Sequence, residues 1–146
     1  MKKITIILPL HKIEDDYKEM FKNAVKSVEL FYEDVILLIV CPDKIKSEIM
    51  SIPIGQKLEI KFISHSSDSS FSSQINMGIN NCNTEWFSIL EVDDEFNPIW
   101  IKSMNEYKNA YTDVDVFLTI VKDINVDGEF LSFTNETCWA YGFTEI

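Results

Sequence analysis

Residues 71–96 read FSSQINMGINNCNTEWFSILEVDDEF, and three patterns follow one another within them. The first part predicts a helix over 72–82. TEWFSILEV (84–92) is an apolar run with aromatic and β-branched residues, which predicts a strand. That strand ends on an acidic cluster, where Glu91, Asp93, Asp94 and Glu95 put four carboxylates into five positions. Crowded like charges repel, so the cluster needs a positive partner to offset its cost. If extended geometry continues past the strand, alternation points Glu91 and Asp93 to the same side.

The same alternation of strand and helix runs upstream. KITIILPL (3–10) is a β-branched run closed by Pro9, which cannot continue a central ladder. Residues 14–32 carry Tyr17, Met20, Phe21, Ala24, Val25, Val28 and Phe31 at three- and four-residue spacings, the mark of an amphipathic helix. DVILLIVC (34–41) is nearly continuous apolar sequence, as in a strand buried on both faces of a parallel sheet. A short helix at 43–51 is stopped by Pro53 and Gly55, and KLEIKFIS (57–64) alternates as a third strand. The serine-rich HSSDSSFSS (65–73) is short and lies between the third strand and a helix, so it reads as an ordered loop leading into the helix at 72–82.

Downstream, a helix spans 98–111 with Pro98 in its first turn. DVDVFLTIVKDI and EFLSFT then flank NVDG, a turn signal that predicts a β-hairpin. Strands alternating with helices imply an α/β fold with a largely parallel sheet. In such sheets ligands bind beyond the carboxyl ends of the strands, and the acidic cluster stands at such an end.

Composition narrows the function. The chain has 146 residues, 46% of them hydrophobic, enough for one globular domain with a real core. Its formal charge of −11 argues against nucleic acid, whose phosphates need a basic surface. The charge suits a divalent cation, and a phosphorylated small molecule held through that cation. No apolar stretch reaches the ~20 residues of a transmembrane segment. The start, MKKITIILPLHK, has no small-residue cleavage site and reads as a buried strand. Cys41, Cys82 and Cys138 form neither a CxxC pair nor a zinc spacing and read as reduced thiols, in keeping with a cytoplasmic protein.

The two converging carboxylates, Glu91 and Asp93, offer hard oxygen ligands for Mg²⁺ or Mn²⁺. The competing reading is a solvated acidic loop. The wider pattern resembles the family 2 glycosyltransferases of the GT-A fold, over about residues 3–111. Pro9 matches the end of that family's first strand, with Leu10 and His11 in place of an aromatic and an Asn. Ser72, Asn76 and Gly78 match an S-x-x-R-N-x-G segment, with Ile75 where Arg is common. Leu90, Asp93 and Asp94 match L-D-x-D-D, with Glu91 replacing the first Asp, while CPDK (41–44) departs from the family's Asp-Asp-Gly-Ser.

The resemblance implies a Rossmann-like GT-A sheet, mostly parallel and flanked by helices, with the C-terminal hairpin added. It implies a nucleoside-diphosphate sugar as donor, a UDP-sugar being favoured, and an unidentified glycan, protein or lipid acceptor. Asp93 is then the metal ligand bridging to the diphosphate, and Glu91 contacts the metal or the ribose. Pro9 and His11 line the nucleotide pocket, Asp43 stands where an acidic residue reads the base, and Asp68, Gln74, Asn76 and Asp94 are further donor contacts. The family's second half, with its catalytic base, is not found after residue 111. Residues 1–146 are therefore expected to be a donor-binding domain lacking part of the acceptor half. The alternative is a non-catalytic module of the same fold, serving assembly or carbohydrate recognition.

Four other signals are set aside. DINVDG (123–128) spaces Asp123, Asn125 and Asp127 like a calcium loop, but position twelve is Thr134 and no helices flank it. NET (135–137) is a sequon without a secretory signal. His65 is a loop residue by default, and Trp86 and Phe87 read as core.

Overall fold

The computed structural model describes residues 4–67 and 69–133. Asp68, the sequon, Cys138 and Thr134 lie outside them. The chain clusters into two compact units, one ending at Asn105 and the other beginning at Glu106.

The first unit is built on β1 (Ile4–Pro9), α1 (Asp15–Glu29), β2 (Val35–Pro42), α2 (Asp43–Ser51), β3 (Glu59–His65), α3 (Phe71–Asn80) and β4 (Trp86–Ile89). The four strands form one sheet in the order β3-β2-β1-β4, and every pairing is parallel. The expected α/β architecture is present. β1 and β2 are central and buried almost throughout, as their unbroken apolar sequences require.

Alternation divides these two strands between two cores. Ile4, Ile6 and Leu8 join Val35, Leu37, Ile39 and Cys41 against Phe21, Val25 and Val28 of α1. Ile7, Leu38 and Val40 face the other way, onto Ile75 of α3. Fully burying such a side chain contributes roughly 1.5–3 kcal/mol. The helices start where local chemistry favours it. Asp15 and Asp16 occupy the first turn of α1, where the helix dipole stabilises acids. At α3 the Ser70 hydroxyl accepts the Ser73 N–H, so the serine-rich segment ends in a helix cap.

Gly78 of α3 allows close approach to the sheet: a Cβ there would lie 2.5 Å from Ile7 Cγ2. α3 packs over β1 and β2, so it leaves the outer strand β4 less covered. Trp86 is half-buried against the main core, but Phe87 is 45% exposed. The expectation that Phe87 is a core residue fails for that reason.

α4 (Trp100–Ala110) begins two residues after Pro98 rather than on it. Asn97 ends the preceding loop by accepting the Ile99 N–H on its side chain and the Trp100 N–H on its carbonyl. In the second unit, β5 (Lys122–Ile124) and β6 (Phe130–Phe133) pair antiparallel. Between them Asn125 Oδ1 accepts the Asp127 and Glu129 N–H groups, and Gly128 takes φ 81°. DINVDG is thus a hairpin turn. The strand expected over 113–124 is regular only at its end. Val116, Leu118 and Ile120 are 72–75% exposed, and β-propensity draws its strength from packed neighbours that exposed side chains do not have among the described residues. Among the described residues no helix is long and apolar enough to cross a membrane.

Candidate functional site

The strand order reverses direction at β1: β2 and β3 lie to one side of it, β4 to the other. At such a switch point the loops leaving the two neighbouring strands separate and open a crevice. Here the crevice is a groove of about 280 Å³ lined by Pro9 and His11 after β1, and by Glu91, Val92 and Asp93 after β4. Tyr17 and Met20 of α1 and Phe71 of α3 complete it.

The acidic segment reaches the groove by a turn, not by continued extension. Leu90 is still held to the sheet, its N–H bonded to the Ile7 carbonyl at 2.9 Å. The Asp94 N–H then returns to the Glu91 carbonyl at 3.1 Å, with Val92 and Asp93 at the corner. Alternation therefore stops before residue 91. Glu91 and Asp93 share the groove because the turn folds them onto it. Beyond the turn the Phe96 N–H donates to Ser27 Oγ of α1 at 3.0 Å, and the Phe96 ring stacks on Trp100 with centroids 4.1 Å apart. Both ends of the acidic loop are thus pinned to the core.

Partial burial raises the proton affinity of the Glu91 carboxyl, and the negative charges of Asp94 and Asp93 raise it further. This is the electrostatic state a cation would relieve. Among the described residues no three His, Cys, Asp or Glu side chains gather into a complete ion cage. Two carboxylates on one groove fit Mg²⁺ or Mn²⁺, which take one or two protein carboxylates and fill their shell with water and phosphate oxygens. They do not fit an ion that needs an all-protein cage.

The opposite wall is aromatic. The His11 and Tyr17 rings meet edge to face at 5.7 Å, and Lys12 Nζ sits 4.3 Å from the Tyr17 centroid. Tyr17, Met20, Phe71 and Val92 were not singled out by sequence as site residues. Tyr17 and Met20 carried only a helical-spacing signal, which reads equally as core.

The remaining candidates scatter. Asp43 is the exposed first residue of α2, and Asn76 is exposed on α3. Neither lines the groove. Asp94 closes the turn behind the groove-lining Asp93. Gln74 is 1% exposed and makes its contacts inside the protein. Its Nε2 lies 3.4 Å from the Leu10 carbonyl oxygen and 3.4 Å from His65 Nε2. His65, expected in a loop, ends β3 and is buried. Ile75 fills the smaller core, so no cation stands where the resemblance has Arg.

A family model described as glycosyl transferase family 2 matches residues 5–144. No curated protein matches this chain. Among solved structures it is similar to S. aureus TarS 1-349 in complex with UDP-GlcNAc, at 11% identity and TM-score 0.63, covering 86% of this chain and 41% of that one. A longer TarS structure matches at 14% identity and TM-score 0.62, over 75% of this chain and 20% of the other. The 4-diphosphocytidyl-2C-methyl-D-erythritolsynthase of Anaerococcus prevotii DSM 20548 matches at 12% identity and TM-score 0.55, over 93% and 66%. The chain therefore spans between a fifth and about two fifths of the length of these TarS chains, and these likenesses bear on the fold.

Proposed function

Because this chain belongs to glycosyl transferase family 2, we propose that its groove binds a nucleoside-diphosphate sugar through a divalent cation, as the donor site of a glycosyl transfer. One observation carries the reading: Pro9 and His11 from the end of β1, and Glu91 and Asp93 from the turn after β4, line a single groove at the switch point of the sheet.

In this reading Asp93 and Glu91 hold Mn²⁺ or Mg²⁺ against the donor diphosphate. A bound divalent ion would supply Lewis-acid stabilisation of the negative charge that builds on the departing nucleoside diphosphate. The protein's own part is placement. The turn from Glu91 to Asp94 fixes the carboxylates before any ligand arrives, so less ordering remains to be done on binding. Pro9, His11, Tyr17 and Phe71 give the nucleoside an apolar and aromatic wall that keeps water from one side of it. The acceptor, whether glycan, protein or lipid, and the base that deprotonates it belong to the transfer as a whole. UDP-GlcNAc, the ligand of the TarS 1-349 complex, is the first donor to test.

The test is calorimetry with UDP, GDP and their sugars, with and without Mn²⁺. We expect a UDP-sugar to bind only when the ion is present, and Asp93→Asn to weaken that binding by about two orders of magnitude, roughly 2.7 kcal/mol. No binding of any of them to the folded protein overturns the reading.

A second reading, a non-catalytic module for assembly or carbohydrate recognition, is favoured by the burial of Ile75 in the core. It predicts association with a glycan or protein partner that needs no nucleotide and is indifferent to Asp93→Asn.

A further inference from the structure

We infer that Gln74 is a positioning residue which fixes the Pro9–His11 wall of the groove through the Leu10 carbonyl, in partnership with a His65 that carries its proton on Nδ1. The inference deepens the donor-site reading and rests on it for its consequence in binding.

The argument begins with a group that has no choice. A carbonyl oxygen accepts and cannot donate, so the side-chain nitrogen of Gln74, 3.4 Å from Leu10 O, must be the amide NH₂ and not the amide oxygen. The same nitrogen lies 3.4 Å from His65 Nε2. An NH₂ carries two hydrogens, and with one directed at Leu10 the other is available to His65. A protonated Nε2 would then meet it donor to donor. His65 Nε2 must therefore be the bare, accepting nitrogen, and the neutral ring keeps its hydrogen on Nδ1, a buried atom with no hydrogen-bond partner among the described residues. Holding a buried donor unmatched there is the smaller conflict, since the other tautomer would oppose two donors and still leave Nδ1 unmatched.

Place in the fold gives the contact its consequence. Leu10 sits between Pro9 and His11, both of which line the groove, and its own N–H is fixed to Val40 O at 2.8 Å. Gln74 fastens the next peptide, the one that joins Leu10 to His11. It stands on α3, whose first residue, Phe71, also lines the groove, and His65 ends β3 opposite Pro42. One amide thus ties three elements at the carboxyl end of the sheet. Gln74 itself is too buried to touch a ligand there, so it acts through the backbone it holds.

The experiment compares wild type, Gln74→Met, His65→Phe and the double variant. In ¹⁵N-labelled protein, in buffer alkaline enough to keep the imidazoles neutral, the ring signal missing from His65→Phe identifies His65. We expect that ring to be the Nδ1–H tautomer in wild type and to lose the preference in Gln74→Met. Deuterium uptake should rise in residues 10–13 of Gln74→Met while residues 35–41 stay protected. Affinity for UDP with Mn²⁺ should fall about tenfold, as when one buried polar contact is lost. His65→Phe should stay within about twofold of wild type, and the double variant should be no weaker than Gln74→Met. An Nε2–H tautomer in wild type, or uptake rising equally across 35–41, overturns the inference. Should wild type bind no nucleotide, the donor-site reading fails, while the ring spectrum and the uptake pattern still decide the clamp.

Discussion

Gly78 of α3 backs onto Ile7 of β1 so closely that the methyl of an alanine would sit 2.5 Å from Ile7 Cγ2, and 3.2 Å from its Cδ1. Ile7 is fully buried and β-branched, so it has little freedom to turn away. Gly78→Ala should destabilise the protein despite a better helix propensity. Overpacking costs about 1–3 kcal/mol, and the alanine returns about 1 kcal/mol of it. Urea unfolding should show a lower midpoint at unchanged slope. In an Ile7→Ala background the same substitution should cost nothing, because the atom it strikes is gone. Equal costs in both backgrounds would place the strain elsewhere.

A hydroxyl pair at the entrance to β4 makes a directional prediction. Thr84 Oγ1 donates to the Trp86 carbonyl at 2.8 Å, which uses its only hydrogen. The Thr5 hydroxyl, 2.7 Å away and 3% exposed, must therefore donate to Thr84. Thr84→Val strands the buried Thr5 hydroxyl and should cost about 1–3 kcal/mol. Thr5→Val leaves the Thr84 bond to Trp86 intact, and Cys82 Sγ remains 3.3 Å from the Thr84 oxygen. It should cost clearly less. Denaturation midpoints of the two variants, measured side by side, check the order.

What the sequence discloses of this fold depends on how far the sheet reaches. β1 and β2 were legible because burial on both faces leaves an unbroken apolar run, while the Pro9 stop marks the end of β1 and the acidic cluster the end of β4. Legibility fails where a residue sits past an element's end. Glu91 and Asp93 do face one groove, yet the strand periodicity invoked for them has already given way to a turn. Tyr17 and Met20 share the spacing of the α1 core stripe, and only the three-dimensional position of the groove separates them from Phe21 and Val25. Gln74 reads as an exposed polar contact on a helix, because its partners, Leu10 and His65, are 64 and nine residues away. The run at 113–121 has strand composition, yet its Val116, Leu118 and Ile120 stand largely in solvent, and composition alone cannot report burial.

Glu91 predicts a pH dependence whose sign can be worked out. Partial burial, then Asp94 and Asp93, lift its folded pKa above the ordinary carboxylate value. Between the unfolded value and this raised one the folded chain binds more protons than the unfolded chain. Stability therefore falls as pH rises through that window, and ionised Glu91 opposes folding above it. Glu91→Gln should raise the melting temperature at neutral pH and lose the advantage below the window. The gain should be small, about 1 °C, since the side chain is largely in solvent. Ion-dependent nucleotide binding should move oppositely, weakening as the pH drops through the same window, because protons compete with the cation for one carboxylate. Fluorimetry and calorimetry from about pH 4 to about pH 8 would show both trends. A wild-type melting curve parallel to that of Glu91→Gln at every pH would contradict the stability half.

The anchor of the acidic loop at Ser27 tests whether preorganised carboxylates matter to the site. Ser27 Oγ donates to Ala24 O at 2.7 Å and accepts the Phe96 N–H at 3.0 Å, while the Phe96 ring meets both Trp100 and Phe31, at 4.1 and 6.5 Å. Neither Ser27 nor Phe96 lines the groove, so substituting them leaves the carboxylates chemically intact. Ser27→Ala removes one acceptor but gains helix propensity, so its net cost should be at most about 1 kcal/mol. Phe96→Ala removes a half-buried ring and its stacking, about 2–3 kcal/mol. If the carboxylates bind an ion because the loop is already folded, both changes should weaken Mn²⁺-dependent UDP binding. The expected losses are about twofold for Ser27→Ala and about tenfold for Phe96→Ala, the cost of ordering the loop anew. Deuterium uptake should rise over residues 91–96 in the same order. Unchanged affinity with raised uptake would show that the ion can organise the loop for itself, and that the pinning serves the core alone.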